Sequence, residues 1–262
     1  MFAAVDPELG RAVAIKLIRP ERSSAPSARA RLLREAQAMA RLHHPNVVTV
    51  YDVGTQDDEV FIAMELIEGS TLAEWIGAAV RGWRKVLETF LAAGRGLAAA
   101  HSAGIVHRDF KPSNVIVGPD RVVVVDFGLA RAGGDATDSE TGGSDQMLDV
   151  TVTATGERLG TPFYMPPEQH AGGVVTAKSD QYSFCLSLWQ GLHGEAPSAG
   201  DGPRRAEVPG WVNAALQRGL ERDPERRWPE MNALLAALGR DPARRRRQIA
   251  VALGVVALGG LG

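Results

Sequence analysis

In "AVAIKLI" the chain places Val13, Ile15 and Leu17 on one face of an extended segment and Ala14, Lys16 and Ile18 on the other, the period of a strand. "NVVTVYDVG" and "EVFIAMEL" flank the polar turn "TQDDE" and predict a hairpin. Between these pieces, "SARARLLREAQAMARLHH" switches to a helical period. Leu32, Met39 and Leu42 share one face there, and Glu35 falls inside the stripe. From Ser70 onward helical patterns dominate, and "RKVLETFLAAGRGLAAAHSAG" predicts a long helix that Gly104 ends. Residues 132–156, rich in Gly, Asp, Ser and Thr, predict a mobile loop. No internal repeat is visible. A small mixed lobe therefore joins a larger helical one through "ELIEGS", and ligands usually bind in the cleft between such lobes.

Composition narrows the function without choosing it. Hydrophobic residues make up 45% of the 262 and charged residues 23%, an ordinary globular balance. A net charge of −2 gives no global case for a nucleic-acid partner. The single cysteine, Cys185, excludes an internal disulfide and a cysteine zinc cage, and fits a reducing compartment. No secretory signal stands at the N-terminus. At the other end, the basic segment 240–247 precedes "QIAVALGVVALGGLG". Residues 248–262 are expected to begin a transmembrane helix, with the arginines marking the cytoplasmic flank of an inner-membrane anchor. The competing expectation is a last docking helix, which the shortage of polar positions disfavours.

The chemistry concentrates in a few stretches. A carboxylate in an apolar helix stripe needs a cation, and Lys16 is the expected partner of Glu35; a local pair with Arg31, one turn away, is the alternative. "HRDFKPSN" packs an arginine, an aspartate, a lysine and an asparagine between two buried-looking runs. Asp109 is placed to accept a hydroxyl proton and Lys111 to neutralise charge on a transferring group. Asn114 and Asp126, the latter in "VVVVDFG", are oxygen donors of the kind magnesium prefers.

Taken in this order, the chain resembles a bacterial receptor-like Ser/Thr protein kinase over residues 3 to 238. "AVAIK" is similar to the strand-lysine motif and "HRDFKPSN" to the catalytic loop. "DFG" is similar to the magnesium loop and "GTPFYMPPE" to the end of the activation segment, with "SDQYSF" and "RDPERRWPEM" following. The resemblance implies an α+β, two-lobed fold with an N-lobe at 1–68 and a C-lobe at 69–239. It implies ATP as substrate, magnesium, and protein Ser/Thr hydroxyls as acceptors.

Its residue roles follow. Lys16 would hold the ATP phosphates and Glu35 would hold Lys16. Met64 would guard the rear of the adenine pocket, with backbone groups of Glu65 and Ile67 on the adenine edge. Asp109 would orient and deprotonate the acceptor, Lys111 would contact the γ-phosphate, and Asn114 and Asp126 would bind the metal. Thr161 would bridge Asp109 and Lys111. Glu168 should pair with Arg227, and Asp180 should brace the catalytic loop. Arg108 is the cation that a phosphorylated activation loop would neutralise, with Thr153 and Thr155, and then Thr151, as sites of self-phosphorylation.

Two departures qualify the match. No glycine-rich loop precedes Lys16, so the first strand of the small lobe is expected to be missing. "GEAPSAGDGPRRAEVPGWV" is short where family members carry another helix. A catalytically impaired, pseudokinase-like scaffold or gene fragment is the rival reading; intact Lys16, Asp109, Asn114 and Asp126 favour the enzyme.

Overall fold

The structure, a computed structural model, describes residues 1–18, 26–56, 59–128, 162–194 and 207–240. Four antiparallel strands form the first sheet: β1 (Phe2–Asp6), β2 (Arg11–Ile18), β3 (Val50–Gln56) and β4 (Glu59–Glu65), in the order β1-β2-β4-β3. The alternation in β2 is used as its pattern requires. Ala14, Lys16 and Ile18 stand opposite Met64, Ile62 and Val60 of β4. That face packs beneath Leu32, Ala36 and Met39 of helix α1 (Pro26–Ala40), while on the other face Val13 is buried and Leu17 is exposed. Lys16 thus leaves the sheet on the side that faces the interior. The predicted hairpin is β3–β4, with an irregularity at Tyr51.

The larger lobe is helical. It contains α2 (Leu72–Ala78), α3 (Trp83–Ser102), α4 (Pro167–His170), α5 (Ala177–His193), α6 (Gly210–Gly219) and α7 (Met231–Gly239). A small sheet of β5 (Ser70–Thr71), β6 (Val115–Val117) and β7 (Val122–Val124) lies at its top. Thr71 starts α2 with a capping box: its hydroxyl accepts the Glu74 N–H at 3.1 Å, and the Glu74 carboxylate accepts the Thr71 N–H at 2.8 Å. As its pattern predicts, α3 stops just before Gly104, which takes the left-handed φ of 74°. Leu97 and Phe90 of α3 pack into one core with Phe184 and Leu188 of α5, Leu216 of α6 and Leu234 of α7, all fully buried. Each such side chain contributes about 1.5–3 kcal/mol of hydrophobic stabilisation.

Aromatic rings carry that core to the polar loops. Phe90 meets Phe184 edge-on at 5.9 Å, Phe184 meets Phe110 at 5.7 Å, and Phe110 meets His107 at 5.8 Å. His107 in turn lies 4.6 Å from the Phe127 ring. The loops that hold the chemistry are therefore mounted on packed side chains. The lobes are also stitched by backbone: Val48 N–H donates to Val124 O, and Val124 N–H donates to Asn46 O, both at 3.0 Å. Asn46 Nδ2 adds a bond to Val122 O at 2.8 Å. Gly96 of α3 makes room for this stitch, since a Cβ there would collide with the Asn46 carbonyl.

Candidate active site

The loop from His107 to Asn114 runs between α3 and β6 and ends in a 3-10 turn, Pro112–Asn114. Its start is fixed by Asp180 in the first turn of α5. One carboxylate oxygen accepts the Arg108 N–H at 2.8 Å and the other accepts the His107 N–H at 2.7 Å. Arg108 is thereby held at φ 65°, a left-handed conformation that costs a side-chain-bearing residue about 1–2 kcal/mol. Asp126 has the same strain, at φ 57°. The two strained residues are among those the sequence marks for chemistry, the pattern of stored backbone strain at functional sites.

His107 joins the two loops. Its Nε2–H donates to Val125 O at 3.0 Å, its Nδ1 accepts the Asp109 N–H at 3.3 Å, and its carbonyl accepts the Gly128 N–H at 2.8 Å. One donor and one acceptor nitrogen define a neutral imidazole. Burial agrees, pushing the His107 pKa below its ordinary value despite Asp180 nearby.

Five polar side chains then converge on one crevice. Lys111 Nζ lies 2.9 Å from Asp109 Oδ2. Asn114 Nδ2 donates to Asp109 O at 2.9 Å and to its carboxylate at 3.3 Å, leaving the amide oxygen as that side chain's remaining acceptor. Asp126 arrives through the Val125 N–H bond to Asn114 O at 2.9 Å. Lys16 Nζ reaches Asp126 Oδ1 from β2 at 3.0 Å, across 110 residues of sequence.

The partner expected for Lys16 is a correction. Glu35 does not meet Lys16: its Oε1 pairs with Arg108 Nη1 at 3.2 Å, and Lys16 pairs with Asp126 instead. All four groups touch solvent, with 26–30% of each side chain exposed. Two cations and two carboxylates can pair either way at similar electrostatic cost, so geometry decides. In this placement of α1, Glu35 meets Arg108 at the wall of a cavity of about 220 Å³ that Ala38, Val106 and Phe127 also line.

Met64 is buried at the rear of the crevice, beside Val50, Ile62 and Phe127. Glu65 directs its N–H inward to Thr49 O at 2.9 Å, and its side chain pairs with Arg121 of the β6–β7 turn. Ile67 follows, half-buried. Below the site, Glu168 meets Arg227 through two 2.8 Å bonds. Burial alone would raise the Glu168 pKa, but the Arg227 guanidinium and the Ser179 hydroxyl outweigh it and hold the carboxyl below its ordinary range. Thr161, the sites Thr151, Thr153 and Thr155, and residues 241–262 lie outside the described residues. Among the described residues no helix is long and apolar enough to cross a membrane.

Sequence reasoning passed over three contributors. Asn46 lies in "HHPN", where the proline is a signal for a helix end and carries none for a bridge between lobes. Arg121 pairs with Glu65 from the β6–β7 turn, and nothing local in the sequence links the two. His101, whose Nε2 lies 2.8 Å from the Asp180 carboxylate, sits in the last turn of a helix, a position that histidines favour without any distant partner.

Comparison with known proteins places this geometry. The protein kinase domain family matches residues 1–238. A probable serine/threonine-protein kinase of Streptomyces coelicolor is 39% identical over 256 residues, covering 92% of this chain and 35% of that protein. The serine/threonine-protein kinase PrkC of Bacillus subtilis is 34% identical over 257 residues, covering 94% of this chain and 36% of that one. Among solved structures, the PknI kinase domain of Mycobacterium tuberculosis superposes with a TM-score of 0.67 at 26% identity, covering 90% of this chain and 88% of that domain. The chain belongs to the protein kinase domain family, with its β-sheet N-lobe and helical C-lobe. It spans about a third of the length of these curated relatives.

Proposed function

We propose that the chain transfers the γ-phosphoryl group of ATP to serine and threonine hydroxyls of proteins. The observation that carries this reading is the meeting of Lys16, Asp109, Lys111, Asn114 and Asp126 in one crevice between the lobes, with Lys16 and Asp126 in direct contact. In this reading Lys16 holds the ATP phosphates, and Glu65 and Ile67 offer backbone groups to the adenine, whose rear wall is Met64. Because the Glu65 N–H is already bound inward, its carbonyl is the group left for the adenine edge.

Asp109 takes the proton of the incoming hydroxyl, and Lys111 holds the γ-phosphate beside it. Asn114 and Asp126 suit magnesium, which takes one or two protein oxygens and completes its shell from phosphates and water. When bound, the metal supplies positive charge against the phosphate oxygens. Thr161 bridging Asp109 and Lys111, and self-phosphorylation at Thr153, Thr155 or Thr151, belong to the same proposal. So does a cytoplasmic domain anchored through residues 248–262, which membrane fractionation of cells expressing the chain tests.

Labelled ATP, magnesium and a generic basic protein provide the direct assay, with Asp109→Asn as control. Label on the acceptor that disappears in the control supports phosphoryl transfer. Equal background in both supports the scaffold reading, which the separation of Glu35 from Lys16 favours. Mass mapping after incubation identifies any modified threonine.

A further inference from the structure

We propose that Arg121 is a positioning residue that selects adenine as the base of the nucleotide, acting through Glu65; this role rests on the kinase reading above. Successive side chains of β4 alternate between the two faces of the sheet. Met64, opposite Ala14, lines the crevice, and Glu65, opposite Val13, leaves the sheet on the other side. There its Oε1 accepts a bond from Arg121 Nη2 of the β6–β7 turn. Arg121 therefore grips the back of the strand whose backbone meets the base, and stands away from the base itself.

The turn is itself firmly seated. Gly118 N–H donates to Arg121 O at 2.9 Å and closes it. The segment joining the lobes is pressed against it: a Cβ on Gly69 would collide with Val117 O, and one on Gly118 with Glu68 O. Asn46 Nδ2 holds the next carbonyl along, Val122 O, at 2.8 Å. The joining segment thus rests on a fixed hairpin at Glu68 and Gly69, and Arg121 adds a grip at its other end. Arg121 keeps 37% of its side chain in solvent and Glu65 22%, the range of a weak pair. Glu65 Oε2, however, is buried and has no hydrogen-bond partner among the described residues. Without Arg121 the carboxylate must turn out to water to be satisfied, and that rotation loosens the Glu65 backbone.

What the backbone holds is the Glu65 carbonyl, an acceptor at the adenine edge. Adenine presents an amino donor at its six position, whereas guanine presents a carbonyl oxygen. A fixed acceptor favours the first and repels the second; a loose one moves aside and discriminates less.

The test is calorimetric titration of the full chain, in magnesium, with ATP and separately with GTP. Arg121→Met keeps the stem and loses every donor, and Arg121→Lys keeps a cation. The Met variant is expected to bind ATP about 10-fold more weakly, the scale of one misplaced hydrogen bond, with GTP binding unchanged. The Lys variant should recover most of that loss. In a double-mutant cycle with Glu65→Gln, the two losses should not add. At saturating ATP, kcat should hold, because the transferring group is untouched. Amide exchange at Glu65, whose N–H is bound to Thr49 O, should quicken in the Met variant, a readout that needs no nucleotide.

Should the Met variant fail to unfold cooperatively, Glu65→Gln takes its place, with the same fall in preference for ATP expected. Equal weakening of both nucleotides, an unchanged preference, unchanged exchange at Glu65, additive losses, or a loss that Lys does not repair would each overturn the proposal. A wild-type chain that binds neither nucleotide would overturn the kinase reading and this role together. One that prefers ATP, and keeps that preference without Arg121, would overturn this role alone.

Discussion

Lys16–Asp126 and Arg227–Glu168 are ion pairs of nearly equal length, 3.0 Å and 2.8 Å, in opposite surroundings. The first pair keeps 26% and 30% of its side chains in solvent, and its neighbour Arg108–Glu35 is alike. Pairs that keep contact with solvent are worth about 0–1 kcal/mol when fully exposed, and these half-buried ones can exchange partners without stranding a charge in the interior. Arg227 is wholly buried and Glu168 nearly so. Its guanidinium also donates to the carbonyls of Lys178, Glu221 and Arg222. Such a pair is not exchangeable, because breaking it strands a charge in the interior. The upper half of the crevice is built from contacts that can be rewired, and the lower half from contacts that cannot.

Breaking the lower half should have the largest consequence. Arg227→Ala is expected to cost about 3–5 kcal/mol, read as a lowered urea midpoint, because it leaves the Glu168 carboxylate uncompensated. The Glu168 pKa is depressed in the folded chain, so its contribution is full above the ordinary carboxylate range and lost as pH falls through the folded value. Acid denaturation followed by circular dichroism should show a steeper loss in wild type than in Glu168→Gln. A smaller cost, about 1–3 kcal/mol, is expected for Asp180→Asn, which turns an amide donor towards one of the two backbone N–H groups. Phosphoryl transfer should fall with it while nucleotide affinity, measured by calorimetry, holds.

His107 sharpens the comparison through pH. Its folded pKa is lowered, so its contribution is complete above the unfolded value, about 6.5, and declines as pH falls below it. Melting temperatures measured from pH 8 to pH 5, roughly spanning that value, should fall more in wild type than in His107→Gln. The smallest effect belongs to the upper half: a double-mutant cycle on Glu35→Gln and Arg108→Gln is expected to give a coupling under about 1 kcal/mol.

Much of this arrangement was legible before any coordinates. The period of β2 put Lys16 on one face with Ala14 and Ile18, but both faces are apolar in sequence and Val13 on the other is buried too, so the pattern alone did not choose the inward face. The helical stripe put Glu35 towards the interior, but not its partner. That choice depends on where α1 sits over the sheet, and a small displacement decides between Lys16 and Arg108. The Glu168–Arg227 and Asp180 contacts were legible only through family resemblance, since 59 and 73 residues separate the partners and no local period links them. His101 and Asn46 stayed hidden because each has a sufficient local explanation, a helix end and a turn.

The most direct measurement is a crystal structure of the chain with magnesium and a non-hydrolysable ATP analogue. Lys16 should leave Asp126 for the phosphates and Glu35, and Glu35 should release Arg108, while the Asp180 bonds to His107 and Arg108 stay as they are. Bound nucleotide with Lys16 still on Asp126 and Glu35 still on Arg108, or a rebuilt set of Asp180 contacts, would contradict the division between a rewirable half and a fixed one.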